Sequence, residues 1–502
     1  MLASRWKPFG KFERSFLRRW YSLNPTIKDF FKEPPVTGET LTARGHIRSI
    51  RQFKKVGFID ISDGTTHKNL SIIFGDPIKL FEKIHFRVGQ SIEVKGKWVE
   101  SRGSQSHELQ LNPELKEHSI NVIGDVAEDY PLQKNALTLQ YLRGLPSIRH
   151  RTSTLASVLR FRSYVENKLM QFFTSKDFIK VNPPIITSSD CEGAGEQFEV
   201  IPASKEESAE GDSRHFFSSP VNLTVSTQLH LEVLAQSLNR VWTLSPCFRA
   251  EKSHTSRHLS EFWMLEAEIC YVDRVEQLTD FTEAMIRSVV SELNKLQRVA
   301  HSDAGDAQDL IFSRFDNSTR DILNDRWEVL LSGDKWPSVS YKEALCLINS
   351  DKHARGDSDK LTWGDSLQLE HEKWLADVYF KSPVFITDYP LSQKPFYMSK
   401  SSEDIYDPSF PTAACFDLIF PKIGEVVGGS LREHDYLVLL QNVDENNIKR
   451  ENLDWYLSTR LYGTVPHGGF GMGFERLLSY LCGLDNVKDI IPFIRVPDYC
   501  SC

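Results

Sequence analysis

Charged side chains stand on both sides of a polar loop in the stretch from 248 to 269. Arg249 and Glu251 lie at its entrance, and Glu266 and Glu268 alternate with apolar residues on the way out. This period-two alternation predicts an antiparallel pair of strands, one face of which is polar. An arginine and carboxylates that face inward are costly unless something charged binds between them. The stretch therefore indicates a site for a charged ligand, and the alternative is a strand pair with a solvated charged face.

A second acidic pair lies nearer the C-terminus. Asp417 is on an apolar run that predicts a strand, and Glu425 follows after a turn. Two carboxylates on neighbouring antiparallel strands suit a hard cation that bridges the oxygens of a triphosphate. A buried acid pair is otherwise costly. We therefore predict a divalent-cation site at these two residues.

Glycines are concentrated in the segment from 462 to 477, which reads YGTVPHGGFGMGFERL. Glycine allows a backbone to approach a nucleotide closely, and a helix with Arg476 in its first turn is predicted to begin at Phe474. A glycine-rich run by itself is a weak signal, because most such runs are turns. The sequence holds neither a strand-linked GxGxxG motif nor a GxxxxGK[ST] loop, which argues against two common nucleotide-binding folds.

The two segments resemble, in order, motifs 2 and 3 of the class II aminoacyl-tRNA synthetases. The first reads FRAEKSHTSRHLSEFWMLEAEI and carries the Phe-Arg-x-Glu core of motif 2, followed by a loop and a Phe. The likeness covers nearly the whole chain after residue 40 and is strongest to the asparaginyl members of class IIb. It implies an α+β protein, in which an N-terminal OB-fold β-barrel precedes a catalytic domain. That domain would be an antiparallel sheet of six or seven strands flanked by helices.

The resemblance implies an ATP site in which fixed cations stabilise the charge on the phosphates. Arg249 would grip the α-phosphate, and adenine would lie between Phe262 and Arg476. Arg257 and His467 would hold the distal phosphates. The implied ATP-binding set is Arg249, Glu251, Arg257, His258, Phe262, His467 and Arg476, of which Arg249 and Arg476 are catalytic, while Asp417 and Glu425 would bind the Mg²⁺ that accompanies ATP.

An amino-acid pocket is implied as well, formed by Glu192, Gln228, Glu266 and Arg432, in which Glu266 would pair with the substrate ammonium. Related aspartyl enzymes carry a lysine three positions after the glutamine, where this chain has Leu231. Aspartate needs its side-chain carboxylate neutralised, whereas asparagine presents a neutral amide. A lone Arg432, offset by Glu192 or Glu196, therefore favours L-asparagine and tRNA(Asn) as the substrates.

Residues 36–120 predict a small β-barrel of the OB type, which commonly binds oligonucleotides. Its five β-rich runs are 41–50, 56–61, 70–74, 91–99 and 108–111. Arg48, Arg51 and Phe58 lie on or between the first two runs, where arginine and a stacking aromatic can contact RNA. The resemblance implies that these three bind the tRNA anticodon, although Ser71 stands where the family has a base-reading glutamine. The alternative is that Phe58 is a core residue beside a solvated basic edge.

The catalytic domain is predicted at 151–502, after a polar linker at 121–150. An amphipathic helix at 155–175 and an extended segment at 181–186, from which two prolines exclude a helix, resemble motif 1. Motif 1 implies a homodimer. Without the family, the helix would be interpreted as an ordinary core helix. No chemistry is predicted between 276 and 380.

The first 22 residues are rich in Arg, Lys and aromatics and nearly free of acid, which is typical of a mitochondrial targeting segment. We therefore predict import into the mitochondrial matrix, and the alternative is a basic tail that touches RNA. The 502-residue chain has a net charge of -8, so local basic patches must contact any RNA. No apolar run predicts a membrane span, and the eight cysteines show no spacing that predicts a zinc site.

Three other functions stay open as alternatives. A non-catalytic tRNA-binding relative would have lost Arg249, Glu251, Asp417 or Arg476, all of which are present. An asparagine-forming amide ligase on the same fold should lack the N-terminal barrel. An aspartyl enzyme is the nearest rival within the class.

Overall fold

The computed structural model describes residues 23–103, 105–133, 137–189, 197–203, 215–217, 219–300, 317–333, 335–355, 360–402 and 408–502. The predicted targeting segment at 1–22 and the loop carboxylates Glu192 and Glu196 lie outside these ranges. The chain divides between residues 137 and 138 into two compact units. None of the helices within the described ranges combines the length and the apolarity needed to cross a bilayer.

The first unit is a closed barrel of the OB type, as predicted. Its strands are β1 (Thr40–Gln52), β2 (Val56–Ser62), β3 (Leu70–Gly75), β4 (Ser91–Glu100), β5 (His107–Leu111) and β6 (Ser119–Gly124), with helices α1 (Ile27–Lys32) and α2 (Pro77–Lys83). The order β1-β2-β3-β5-β4 closes because β1 also pairs with β4, and β6 extends the sheet beyond β4. Alternation along β2 buries Ile59 and Ile61 in the barrel core and leaves Phe58 and Asp60 half-buried on the outer face.

The connection between the units runs from the end of β6 to the start of the next helix, within the segment predicted as a linker at 121–150. β6 pairs with β4 and carries the barrel to Gly124. Helix α3 (Leu139–Arg143) and a 3-10 turn (Arg149–Arg151) already belong to the second unit. The buried Arg149 donates to the carbonyl oxygens of Lys488 and Pro492, which fixes this end of the connection against the C-terminal segment.

The second unit is built on one sheet, which has eight strands within the described residues. They are β7 (Ile179–Lys180), β10 (Arg240–Phe248), β11 (Glu261–Cys270), β12 (Ser338–Ser340), β13 (Val384–Thr387), β14 (Cys415–Phe420), β15 (Gly424–Leu431) and β16 (His467–Gly473), while β8 (Ile186–Thr187) and β9 (Asn222–Leu223) form a separate pair. The order is β12-β13-β14-β15-β16-β11-β10-β7. The six central strands are antiparallel, as predicted. The edge strands β7 and β12 pair in parallel and raise the count above the six or seven expected.

The segment 181–186 differs from its prediction because two short strand pairings flank it. This segment was expected to be one extended strand, but β7 pairs with β10 just before it and β8 pairs with β9 at its end. Pro183 and Pro184 lack N–H donors, so the backbone between the two pairings cannot continue a ladder.

Helices pack on both faces of the large sheet, because Phe385 of β13 joins one core cluster while its neighbours Val384 and Ile386 join another. They include α4 (Ser153–Ser175), α5 (Gln228–Leu238), α6 (Val275–Ala300), α7 (Asn317–Leu331), α8 (Tyr341–Ser350), α9 (Lys352–Arg355), α10 (Leu369–Lys373), α11 (Tyr436–Glu445), α12 (Asp454–Leu457) and α13 (Phe474–Cys482). Phe173 of α4 stacks on Trp242 of β10 with ring centroids 4.5 Å apart. Leu265 and Ala267 of β11 join this core, so Glu266, which lies between them, faces the opposite side of the sheet.

Candidate active site

The polar stretch from 248 to 269 folds into the β10–β11 hairpin, as predicted. β16 lies on the other side of β11, where Gly469 pairs with Glu268. A Cβ atom on Gly469 would lie 2.1 Å from Glu268 Oε2 and 2.2 Å from the carbonyl oxygen of Ala267. A glycine is therefore required in β16 because a buried carboxylate on the next strand takes the space of a side chain.

Six of the seven predicted ATP-binding residues line one pocket. They are Arg249, Glu251, Arg257, His258, Phe262 and Arg476, with Glu425 in the wall. The guanidinium carbon of Arg249 lies 5.6 Å from the centre of the Phe262 ring. Arg476 Nη1 donates to the Glu425 carbonyl oxygen at 3.0 Å and lies 3.5 Å from its carboxylate. Because its arginines repel one another, the pocket suits a polyanion such as a nucleotide.

His258 lies in this pocket as a neutral group. Burial, together with the nearby Arg476 and Arg257, lowers the pKa of His258 below its ordinary value of 6.5. Its Nδ1 lies 2.7 Å from the hydroxyl oxygen of Ser253 and 2.9 Å from that of Thr255. These contacts order the loop that carries Arg257, so His258 organises the pocket rather than adding a positive charge to it.

The structure separates His467 from the other predicted ATP-binding residues. Its side chain is buried, with Nε2 3.0 Å from Glu232 Oε2 and Nδ1 2.8 Å from the carbonyl oxygen of Val465. His467 therefore does not line the pocket that contains the other six residues, and its contact with ATP stays a prediction. The glycine-rich segment suggested a single nucleotide-binding loop, whereas its first residue begins strand β16 beside a buried carboxylate.

Glu232 is the centre of a buried charge network that the sequence did not reveal. It accepts hydrogen bonds from Arg460 Nη2 at 2.7 Å and from the Tyr456 hydroxyl at 2.7 Å. Burial alone would raise the pKa of Glu232, but Arg460 and His467 hold it below its ordinary value. The carboxylate is therefore ionised and paired. The sequence contains only a weak indication of this role. Glu232 is four residues after Gln228, shortly before the predicted hairpin, and its partners are distant in sequence.

Arg432 joins the same network from β15. Its Nε and Nη2 donate to the two carboxylate oxygens of Glu268 at 3.2 and 3.0 Å. Two buried arginines, Arg432 and Arg460, thus pair with two buried glutamates, Glu268 and Glu232. Burial raises the pKa of Glu268, and Arg432 opposes that shift. Glu232, Glu268 and His467 have ligand atoms within 4.8 Å of one another. The arginines already neutralise these carboxylates, so we assign the group to charge balance and not to a metal ion.

The remaining predicted amino-acid-binding residues meet at the start of α5. Glu266 is buried and accepts from the Ser226 hydroxyl and from the Thr227 backbone N–H, the latter at 3.0 Å. Burial raises the pKa of Glu266, and these donors oppose the shift. Gln228 Nε2 donates to Glu232 Oε1 at 3.0 Å, which links the pocket to the charge network. Leu231 lies in an apolar cluster with Ala235, Val241 and Cys270.

Asp417 and Glu425 converge, as predicted, from the adjacent strands β14 and β15. A Cβ atom on Gly428 would lie 3.3 Å from Asp417 Oδ1 and 3.5 Å from Glu425 Oε1. The absence of this side chain leaves a cradle between two carboxylates, which fits a hard divalent cation. Lys394, which the sequence analysis missed, donates to Asp417 Oδ2 at 3.0 Å. Burial raises the pKa of Asp417, and the Lys394 ammonium opposes that shift.

The cradle gives a direct test of the cation site. Gly428→Ala should weaken the Mg²⁺-dependent part of ATP binding by about tenfold or more, because the new methyl group occupies the space between the carboxylates. Isothermal titration of the protein with ATP, in the presence and in the absence of Mg²⁺, measures how much of the ATP affinity depends on the cation. Gly75→Ala, where a Cβ atom would meet nothing within 4 Å, is the stability control. If ATP binding depends on Mg²⁺ equally in Gly428→Ala and in the unmodified chain, the cation does not bind at this position.

The outer face of the barrel brings two of the predicted anticodon residues, Arg51 and Phe58, together beside Asp60. Arg51 lies 3.0 Å from Asp60 Oδ2, and its guanidinium carbon lies 5.1 Å from the Phe58 ring centre. Ser71, on the neighbouring strand β3, donates to Asp60 Oδ1 at 2.6 Å. Arg48 occupies the position where the β1–β2 register shifts. Because Phe58 is on the outer face, the alternative that placed it in the core is wrong, and the ring is available for stacking.

Comparison with known proteins agrees with this geometry. Residues 143–497 match the family model described as tRNA synthetases class II (D, K and N). The chain belongs to the class II tRNA synthetases. The mitochondrial asparagine–tRNA ligase of Saccharomyces cerevisiae is 43% identical over 496 residues, which cover 95% of this chain and 96% of the relative. The asparaginyl-tRNA synthetase of Mus musculus is 37% identical, with 94% of each chain covered.

Solved class II synthetases share the whole architecture. The asparaginyl-tRNA synthetase of Pyrococcus horikoshii in complex with asparaginyl-adenylate superimposes with a TM-score of 0.77 at 25% identity, covering 96% of this synthetase and 100% of that chain. A putative aspartyl-tRNA synthetase of Leishmania major superimposes with a TM-score of 0.73 at 20% identity, which shows the shared fold alone. The class II synthetase fold predicted from the sequence is therefore confirmed.

Proposed function

We propose that this synthetase is an asparagine–tRNA ligase, which activates L-asparagine with ATP and transfers it to tRNA(Asn) in the mitochondrial matrix. Relatives that cover nearly the whole chain carry the asparagine–tRNA ligase name, and those of two yeasts are mitochondrial. The single structural observation that supports asparagine is the pairing of the buried Arg432 with Glu268.

This pairing explains why an amide suits this pocket better than a carboxylate. Glu268 accepts hydrogen bonds from Nε and Nη2 of Arg432, while Nη1 donates to the Ser430 hydroxyl, so a carboxylate already offsets the charge of the arginine. At position 231, where a lysine would supply a second cation, Leu231 is buried among apolar side chains. A neutral amide can form hydrogen bonds here without an uncompensated charge, whereas an aspartate carboxylate would add one.

In the first reaction the substrate carboxylate attacks the α-phosphorus of ATP, and pyrophosphate leaves. Charge develops on the phosphate oxygens, so catalysis depends mainly on fixed donors. Arg249 would hold the α-phosphate with its planar fork while its guanidinium lies against Phe262. Arg476, aligned by Glu425, would cover the other face of the adenine, and Arg257 would contact the distal phosphates. Glu266 would accept the ammonium of the amino acid.

Asp417 and Glu425 would hold Mg²⁺, which supplies charge neutralisation for the triphosphate when bound. The chain itself contributes the two carboxylates and the cradle over Gly428. In the second reaction the 3′-terminal adenosine of the tRNA would attack the activated carbonyl, and AMP would leave. Selection of the tRNA would rest on the outer face of the barrel, where Phe58 and Arg51 can contact anticodon bases.

Phe58→Ala should weaken tRNA binding by about 1–3 kcal/mol, the value of one base–aromatic stack. Because the ring is outside the barrel core, the thermal unfolding temperature should change little. Binding of labelled tRNA(Asn) measures the effect, and Phe58→Tyr keeps the ring and serves as the control. If the alanine and tyrosine variants bind tRNA equally well, Phe58 does not stack on a base.

A homodimer is also part of this proposal. Large apolar side chains are exposed around the motif 1 segment: Met170, Ile179, Ile185, Ile186, Phe198 and Ile201. An exposed apolar patch of this kind favours a protein–protein interface. Sedimentation equilibrium distinguishes a dimer from a monomer. Fluorescent tagging at the C-terminus tests the matrix location, which the composition of residues 1–22 supports.

Amino-acid-dependent ATP–pyrophosphate exchange tests the function itself. Exchange with asparagine and not with aspartate is the expected result. Exchange with aspartate alone would make the chain an aspartyl enzyme and would contradict the charge argument at Arg432. No exchange from folded protein with either amino acid would support the non-catalytic alternative.

A further inference from the structure

Glu372 lies in the part of the chain where the sequence predicted no chemistry. It is in α10, and the backbone N–H of Glu425 donates to its Oε2 at 3.2 Å. The same oxygen lies 3.9 Å from Arg257 Nη1, and Arg257 also donates to the carbonyl oxygen of Ile423 at 3.4 Å. Glu372 therefore touches both the start of the strand that carries a predicted cation ligand and the arginine predicted to meet the distal phosphates.

The backbone at Gly424 is shaped for this contact. Its φ is +86°, and a Cβ atom there would lie 2.6 Å from Glu372 Oε2 and 2.9 Å from Arg257 Nη1. The two side chains therefore share the space above this glycine. Both are largely enclosed, with 12% of the Glu372 side chain and 22% of the Arg257 side chain exposed. Burial and the nearby Glu425 raise the pKa of Glu372 to about 7, and Arg257 opposes that shift. The contact is thus a built feature of the pocket wall and not a solvated surface pair.

Charge explains why Arg257 needs such a partner. Arg249, Arg257 and Arg476 line one pocket and repel one another. Glu425 pairs with Arg476. Without Glu372, Arg257 would lose its carboxylate partner and keep the 3.4 Å hydrogen bond to the Ile423 carbonyl oxygen.

We propose that Glu372 is a positioning residue for the distal phosphates of ATP, because it holds Arg257 beside the Asp417–Glu425 cradle before the nucleotide binds. This inference rests on the proposed function and adds a member to its ATP site. Glu372 touches neither adenine nor the amino acid in this role. Its effect should therefore be confined to ligands that carry the β- and γ-phosphates.

Glu372→Gln is the informative variant, because it keeps the size and removes the charge. Glu370→Gln is the matched control, since Glu370 is in the same short helix and is exposed. Isothermal titration of the full chain with ATP and Mg²⁺ should give a Kd about tenfold higher for Glu372→Gln. A sulfamoyl analogue of asparaginyl-adenylate, which lacks the distal phosphates, should bind both variants as tightly as the unmodified chain.

Unchanged ATP affinity in Glu372→Gln would overturn the inference, and so would an equal loss of affinity for ATP and the analogue. In an Arg257→Ala background, Glu372→Gln should cause no further loss of ATP binding, because the residue acts through that arginine. An additional loss would show that Glu372 acts elsewhere. Failure of the unmodified chain to bind the analogue would count against the proposed function, while the ATP titrations would still decide the role of Glu372.

Discussion

Replacing Arg249 with lysine will reduce kcat/KM for asparagine-dependent pyrophosphate exchange by about 10²- to 10³-fold, the usual effect of losing one fixed donor to a developing oxyanion. Lysine keeps the positive charge but loses the planar fork that can hold two phosphate oxygens. It also loses the flat face that lies against Phe262. The effect should be mainly on kcat, because the donor is needed most when charge develops on the α-phosphate.

The control for this variant lies at the other end of the same strand. Arg240 begins β10, is exposed, and donates to the carbonyl oxygen of Lys176. Arg240→Lys should leave exchange within about twofold of the unmodified chain, as expected for an exposed position. An Arg249→Lys variant that keeps full kcat would show that charge alone is sufficient, and the α-phosphate contact would have to be assigned elsewhere.

Glu268→Gln will change the choice of amino acid. It removes one negative charge from the buried network and leaves Arg432 with an uncompensated positive charge, so the ratio of aspartate to asparagine activation should rise by about 10- to 100-fold. The amide oxygen of glutamine can still accept from Arg432, which limits the structural damage. Some loss of stability is expected, since breaking a buried ion pair costs about 3–5 kcal/mol.

Competition between the two amino acids in the exchange assay measures this ratio directly. Glu261→Gln, at the exposed start of the same strand, is the control and should leave it unchanged. If Glu268→Gln loses activity with both amino acids in equal proportion while staying folded, the pairing of Arg432 with Glu268 does not determine selectivity. Selectivity for asparagine would then depend on direct contacts to its side-chain amide.

The sequence predicted best the features that depend on neighbouring residues. Alternation along 262–268 placed Glu266 and Glu268 on the polar face, and the five barrel strands agree with the structure to within a few residues at each end. Strand periodicity also predicted that Asp417 and Glu425 converge, because adjacent antiparallel strands bring such pairs together.

Long-range partners could not be predicted in this way. Glu232 and Arg460 are 228 residues apart, and each has an unremarkable local context. Lys394 and Glu372 contact the cation cradle from segments that carry no periodic pattern of charge. The partner of His467 could not be predicted either, since Pro466 and Gly468 flank it in sequence but Glu232 lies beside it in space. Pairing between distant charges has no local signature in a single sequence.

The position of β16 has a consequence for how the protein is made. This strand begins at residue 467, yet it lies between β15 and β11 in the middle of the sheet. Until the ribosome has synthesised it, the hairpin β10–β11 and the sheet β13–β15 have no shared neighbour, and each exposes a strand edge. The barrel can fold during translation, whereas the second unit must wait for the end of the chain. A premature stop before residue 467 would therefore leave two unjoined half-sheets that are prone to aggregate, even though every residue predicted to bind ATP except His467 and Arg476 had already been made.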